Sequence, residues 1–135
     1  MYFEWKKELE TGIPALDKHH QGIFDCINSF IQRCDEGGGV EEVISHLDLL
    51  DNYSRKHFSY EENLQKYNNY PGLGDQQKQH AFFLEDLDEI KKTLETTGLS
   101  REISLIAKGK LIRWLSHHIK SIDKEFVDFL KAKQS

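Results

Sequence analysis

The sequence has little of what marks a secreted, membrane-embedded or nucleic-acid-binding protein. Its 135 residues include two prolines and two cysteines, and 18 basic against 23 acidic side chains give a net charge of -5. A negative chain has no general electrostatic attraction for nucleic acid or an anionic membrane, so neither partner is expected. No run of about 18 apolar residues exists to cross a bilayer, and the first residues lack the basic start and apolar middle of a secretion signal. We therefore expect a cytoplasmic protein.

The two cysteines are not expected to bind metal or to form a disulfide with each other. Cys26 and Cys34 fall on one predicted helix, eight residues apart, which separates them by about 12 Å along the axis. Neither has a second cysteine at a metal-site spacing. Nucleophilic catalysis also lacks support, because no glycine-flanked elbow or paired base surrounds a serine or a cysteine.

Breaks in the helical pattern divide the chain into four segments. Residues that end helices or form turns cluster at 35–39, 68–74 and 96–100, and apolar residues recur at spacings of three and four between them. The length fits one domain, so 1–135 is expected to fold as a single unit. Four amphipathic helices with short connections pack most simply as an up-down-up-down four-helix bundle. The predicted fold class is all-α, with a metal site in the core.

Imidazoles from all four predicted helices fall at the same end of this bundle. One histidine per helix lies on the apolar stripe at this level: His20, His57, His80 and His118. A lone histidine on such a stripe is usually a satisfied core residue. Several unpaired polar groups in one apolar layer would instead cost about 1–3 kcal/mol each, and a bound metal would remove that cost.

Carboxylates join the histidines in this layer. Glu61 follows His57 by four residues, which rotates it by only about 40°, so both side chains can reach one ion or bridge two. Asp123 follows His118 by five residues, a divergence of about 140°, and reaches the layer only if the helix ends or widens between them. Imidazoles mixed with carboxylates suit iron, manganese or zinc, and two bridging carboxylates favour a pair of metals over one.

Several spaced motifs along nearly the whole chain carry a family resemblance. They are Trp5 followed by Gly12-Ile13-Pro14, Leu16-Asp17-Lys18-His19-His20, His57-Phe58-Ser59-Tyr60-Glu61-Glu62, Tyr70-Pro71 followed by His80, and Trp114-Leu115-Ser116-His117-His118-Ile119 with Asp123. Together they resemble the bacterial hemerythrins, non-haem di-iron proteins that bind dioxygen reversibly. The resemblance implies that His20 and His57 hold one iron and that His80 and His118 hold the other.

The same resemblance implies which residues bridge the two irons, and it shows one position where this chain departs from the family pattern. Glu61 and Asp123 would bridge both irons, together with an oxo or hydroxo group. Family members carry a histidine four residues before His80, where this chain has Gln76. The neutral amide oxygen of Gln76 is a poorer ligand than imidazole. One iron would therefore be bound by that oxygen, be bound by water, or be lost.

The resemblance also suggests an oxygen pocket beside the open coordination position. Trp114, Leu115 and Ile119 would form its apolar wall, although plain core packing explains the same three residues. His19 and His117 stand next to implied ligands but are rotated by about 100° from the ligand stripe. A rearrangement could recruit one of them, and the simpler interpretation is a surface or supporting histidine.

Three functions remain open on the sequence. The first is reversible dioxygen binding by a monomer for delivery, storage or sensing. The second is a di-iron oxidase or an enzyme that reacts with peroxide or nitric oxide, made possible if Gln76 leaves a second position on iron open. The third is a non-catalytic module whose metal is structural or reports redox conditions to a partner. Oxygen binding ranks above catalysis.

Overall fold

The computed structural model describes residues 5–134, so the two ends of the predicted domain, residues 1–4 and 135, lie outside the described residues. A short 3-10 helix spans Lys7–Leu9. The main helices are α1 (Pro14–Asp35), α2 (Val40–Tyr67), α3 (Leu73–Thr97), α4 (Arg101–His117) and α5 (Lys124–Gln134). A π-helix, His118–Asp123, joins α4 to α5, and the described residues contain no strand.

The main helices form four rods, of which the fourth consists of α4, the π-helix and α5. Each rod packs against the preceding one, and α1 also packs against α4, which closes the ring. The short connections at 36–39, 68–72 and 98–100 make consecutive rods antiparallel. The predicted all-α four-helix bundle is confirmed. Among the described residues, no helix combines the length and the apolar character needed to cross a membrane.

Local chemistry fixes where the rods begin. Pro14 opens α1, where its fixed φ suits the first helical turn and its missing N–H is not needed. The Asp17 carboxylate accepts hydrogen bonds from the backbone N–H and the hydroxyl of Thr11, each 2.8 Å long, and so ties the preceding loop to the helix. Ser100 caps α4, because its hydroxyl accepts the Ile103 N–H at 3.1 Å.

Helices α1 and α2 approach closely beside the predicted metal layer. A Cβ on Gly22 would lie 2.0 Å from the Tyr53 hydroxyl, so a larger residue here would displace the tyrosine ring. Gly22 is two residues from His20, and Tyr53 is four residues from His57. The close approach therefore lies about one helical turn or less from two of the predicted ligands.

Apolar side chains fill the bundle away from this layer. Burial of that surface supplies the main favourable term in folding. Large side chains that are almost completely buried include Phe24, Phe30, Phe83, Phe126, Ile27, Leu47, Leu87 and Leu94. Both cysteines are free, as expected.

The fourth rod widens between His118 and Asp123, which is the condition under which Asp123 was expected to reach the layer. In a π-helix the backbone hydrogen bonds span five residues instead of four, so residues five apart share a face. His118 and Asp123 are the first and last residues of this segment, and both are buried. The widening turns the Asp123 side chain toward the same layer as His118.

Candidate metal centre

The side chains predicted to bind metal meet in one buried layer. They come from all four rods, and each is at most 2% exposed: His20, His57, Glu61, Gln76, His80, His118 and Asp123. Within this set, two groups have ligand atoms that all lie within 4.8 Å of one another. One group is His20, His57, Glu61 and Asp123, and the other is Glu61, His80 and His118.

The Asp123 carboxylate extends between the two histidine pairs. Its Oδ2 lies 2.8 Å from His20 Nε2, and its Oδ1 lies 2.9 Å from His118 Nε2. The two oxygens of one side chain thus face imidazoles that belong to different pairs. Without the π-helix, this carboxylate would point away from the layer.

Glu61 makes a parallel connection from α2. Its Oε1 lies 3.0 Å from His80 Nε2 and 3.5 Å from His118 Nε2, and its Oε2 lies 3.5 Å from His57 Nε2. The Glu61 oxygens therefore also divide between the pairs. Both carboxylates have the geometry of groups that can bridge two cations.

Several inward-facing atoms of this layer lack hydrogen-bond partners although they are buried. They are His20 Nε2, His57 Nε2, His118 Nε2, Glu61 Oε2 and Asp123 Oδ2. His20 Nε2 and Asp123 Oδ2 are only 2.8 Å apart, yet their alignment is not that of a hydrogen bond. Buried polar atoms left this way are costly, and cations placed among them would satisfy all of them. The donor set of imidazole and carboxylate fits iron.

Protonation equilibria in this layer reflect both burial and the carboxylates. Burial lowers the pKa of His57 to about 3 against the opposing pull of Glu61, so this imidazole is neutral and free to bind a metal. Burial alone would also lower the pKa of His118, but Asp123 and Glu61 raise it to about 10. A metal that binds His118 must therefore displace a proton.

Both carboxylates stay ionised despite their burial. Desolvation would raise the pKa of Asp123, but His118 and His20 hold it well below its ordinary value. Desolvation and Asp123 would likewise raise the pKa of Glu61, but the neighbouring imidazoles of His118 and His80 lower it. Two negative charges thus remain in a dry layer, which favours cations there.

Two of the imidazoles have partners at their outward-facing nitrogens. His80 Nδ1 lies 2.7 Å from the Glu62 carboxylate, and His57 Nδ1 lies 3.1 Å from His19 Nδ1. Such outer partners fix the ring orientation and the tautomer of a metal-binding histidine. His117, the other neighbouring histidine, is exposed and belongs to neither ligand group.

Gln76 is committed to Asp123 through its amide nitrogen. Its Nε2 donates to Asp123 Oδ1 at 3.2 Å and to the carbonyl of Ile122 at 3.3 Å. Both neighbours are acceptors, which determines that the NH₂ group faces them. The amide oxygen of Gln76 is buried without a partner. Gln76 therefore positions the Asp123 carboxylate through its amide nitrogen. Its amide oxygen, which would be a weak metal ligand, stays unpaired.

Aromatic rings enclose the His80–His118 side of the layer. Trp114, half-buried, stacks on His118 with ring centres 4.5 Å apart, and Phe58 stacks on His80 at 3.9 Å. The two other side chains predicted to form the oxygen pocket, Leu115 and Ile119, are buried in the same rod.

Sequence reasoning assigned no role to Phe58 or Glu62. Both lie next to predicted ligands in the motif of α2, which was their only sequence signal. Their contacts with His80 depend on how α3 packs against α2, and the spacing within one helix does not give that packing.

Comparison with known proteins gives a consistent family assignment. The family described as "Hemerythrin HHE cation binding domain" matches residues 11–130. A bacteriohemerythrin of Pseudomonas aeruginosa is 30% identical over 133 residues, which cover 97% of this chain and 83% of the relative. A myohemerythrin of Sipunculus nudus is 29% identical over 128 residues, which cover 92% of this chain and 90% of the relative. The chain therefore belongs to the hemerythrin family.

Proposed function

We propose that this protein binds dioxygen reversibly at a pair of non-haem iron ions in its buried layer. His20 and His57 would hold one ion and His80 and His118 the other. The observation that carries the proposal is the position of two buried carboxylates, each with its oxygens divided between the two histidine pairs. A single-metal site would have no use for two such bridges.

The chain's own side chains would keep this centre dry and fixed in place. All six imidazole and carboxylate side chains are at most 2% exposed, and aromatic rings cover His80 and His118. Leu115 and Ile119 add apolar surface, so the space beside the ions would favour a small apolar molecule over water. When bound, the iron pair supplies the electrons that dioxygen accepts and returns.

All of these ligands come from one chain, so the proposal requires no second copy. The monomeric state and the cytoplasmic location expected from the sequence both remain predictions. Bridging by an oxo or hydroxo group belongs to the proposal as well.

The proposal is tested with protein loaded with ferrous iron under anaerobic conditions. We expect about two irons per chain, a visible absorption band on exposure to oxygen, and loss of that band under vacuum with recovery of the ferrous state. Oxidation of the iron without recovery, at full iron loading, would exclude a carrier.

A second function, catalysis by a di-iron enzyme, is favoured by one feature, the amide at position 76. The Gln76 nitrogen is taken up by Asp123 and Ile122, so its unpaired oxygen would be a weak ligand on the His80–His118 side. An ion with one imidazole fewer can admit water, peroxide or nitric oxide as well. Steady consumption of peroxide or nitric oxide, combined with irreversible oxidation in oxygen, would favour this function over oxygen binding.

A further inference from the structure

His57 lies between the rings of two consecutive residues of α1. The His20 ring meets it edge to face with centres 5.0 Å apart, and the His19 ring does so at 5.2 Å. Consecutive helical residues diverge by about 100°, so they contact His57 from different sides. His20 is fully buried in the metal layer, whereas His19 is half-buried behind His57.

His19 and His57 can share one hydrogen bond, between their Nδ1 atoms. Their Nδ1 atoms are 3.1 Å apart, so one must carry a proton and the other must accept it. His57 Nε2 faces the layer, 3.5 Å from the Glu61 carboxylate. A nitrogen that binds metal cannot carry a proton, so the proton of a metal-binding His57 must be on Nδ1 and must be donated to His19.

We propose that His19 is a positioning residue that accepts this hydrogen bond and holds His57 in the tautomer with Nε2 free for metal. This inference rests on the proposed metal centre. His19 must then carry its own proton on Nε2.

Tyr60 fixes the His19 ring from its other side. The two rings meet edge to face at 4.9 Å, and Tyr60 is 40% exposed, so it covers His19 at the surface. His19 is thereby confined between Tyr60 and His57. A side chain held this way loses little further freedom when it forms the hydrogen bond, which makes it an effective support for a ligand.

The two supported histidines are not equivalent. Behind His80 the acceptor is the Glu62 carboxylate at 2.7 Å, whereas behind His57 it is an imidazole. An imidazole that donates its hydrogen bond to a carboxylate binds metal more strongly than one that donates to a neutral group. We therefore expect His19 to affect metal binding mainly by orienting the His57 ring, and less by making His57 a stronger metal ligand.

The test compares His19→Phe, which keeps a ring in place but removes the acceptor, with His19→Gln, whose amide oxygen can accept the same hydrogen bond. Anaerobic cobalt(II) titrations against a competing chelator measure the two affinities. Loss of a supporting partner costs about 10–100-fold in metal affinity, so we expect one of the two cobalt ions to bind at least about tenfold more weakly in His19→Phe. His19→Gln should stay close to wild type. His117→Phe, a matched exchange at an exposed histidine beside His118, should change neither affinity.

A second measurement reads the tautomer directly in metal-free protein. Nitrogen NMR of labelled histidine should show His57 protonated at Nδ1 in wild type and in His19→Gln, and shifted toward protonation at Nε2 in His19→Phe. If His19→Phe does not fold by circular dichroism, the comparison is made with His19→Ala.

Equal cobalt affinities in wild type and His19→Phe would overturn the proposal. So would an unchanged tautomer, or an equal loss of affinity in His19→Gln, which would indicate ring packing alone. If the proposed two-metal centre is wrong, the result is different: wild type would bind fewer than two cobalt ions. The tautomer measurement in metal-free protein would still test the role of His19.

Discussion

At the scale of single residues, position 76 decides how the two sides of the centre differ. The family resemblance implies an imidazole at this position, where this chain has the buried amide of Gln76, and the nitrogen of that amide donates to Asp123. The sequence predicted this departure and its core-facing position. It could not predict which amide atom faces Asp123, because that depends on the acceptors that the π-helix brings nearby.

Replacing Gln76 by histidine should strengthen metal binding on the His80–His118 side. Even an outer partner of a ligand contributes about 10–100-fold in affinity, so a direct imidazole should contribute at least as much. Cobalt(II) competition titrations of Gln76→His against wild type measure the effect. Gln77→His is the matched control, since position 77 is exposed and should leave both affinities unchanged. Equal affinities in Gln76→His and wild type would mean that position 76 does not face the ion.

The supporting residues show the limit of reasoning along one helix. The spacing of His57 and Glu61 on one helix was enough to predict that they lie together, and no information on the neighbouring rod was needed. The pairing of Glu62 with His80 and that of His19 with His57 cross from one rod to another. Such pairings depend on the rotation of each rod about its axis, which the apolar pattern defines only coarsely.

At the scale of secondary structure, the π-helix in the fourth rod makes the site possible. The four rods and their connections could be predicted from periodicity and turn residues. The sequence did not predict the π-helix itself. It predicted only that Asp123 can reach the layer if the rod ends or widens before it. Its sequence, His118–Asp123, contains no proline or glycine that would mark the widening.

Exchanging the residues at positions 122 and 123 tests the π-helix. The variant Ile122→Asp with Asp123→Ile places the carboxylate four residues after His118, which would suit an ordinary α-helix. In the widened rod we expect the new carboxylate to miss the layer, with loss of at least one metal ion per chain by elemental analysis. The single variant Asp123→Asn separates loss of charge from change of position. Wild-type metal content in the exchanged variant would contradict the π-helical register.

At the scale of the whole molecule, the bundle divides into a polar layer at one end and an apolar remainder. The metal-free protein should show the effect of the polar layer as a dependence of stability on pH. His57 has its pKa lowered from 6.5 to about 3, so as pH falls through this window the unfolded chain binds a proton that the folded protein does not. The free energy of unfolding should therefore decrease on acidification below about pH 6.5.

His118 has the opposite effect above neutrality. Its pKa is raised from 6.5 to about 10, so the folded protein keeps a proton that the unfolded chain has lost, and the free energy of unfolding decreases as pH rises through that window. Urea unfolding of chelator-treated protein from acid to alkaline pH should give a maximum near neutrality. In His57→Gln the acid limb should become flatter, and an unchanged limb would show that His57 is not the group responsible.

The apolar remainder should hold the fold without the metal layer. Phe30 is ten residues beyond His20, about 15 Å along α1, and is 1% exposed. Phe30→Ala should lower the free energy of unfolding by about 3–5 kcal/mol, because it removes a large buried ring and leaves a cavity. Urea unfolding measures that loss, and elemental analysis should find the same metal content as in wild type. Loss of metal at unchanged stability would contradict the division of the molecule into two regions.

The most direct test of the account is anomalous X-ray diffraction at the iron edge from crystals of the iron-loaded protein. We predict two iron peaks about 3.5–4 Å apart, the usual spacing of two-metal sites, one beside His20 and His57 and the other beside His80 and His118. Glu61 and Asp123 should each contact both ions. A single peak, or peaks outside this buried layer, would contradict the central claim.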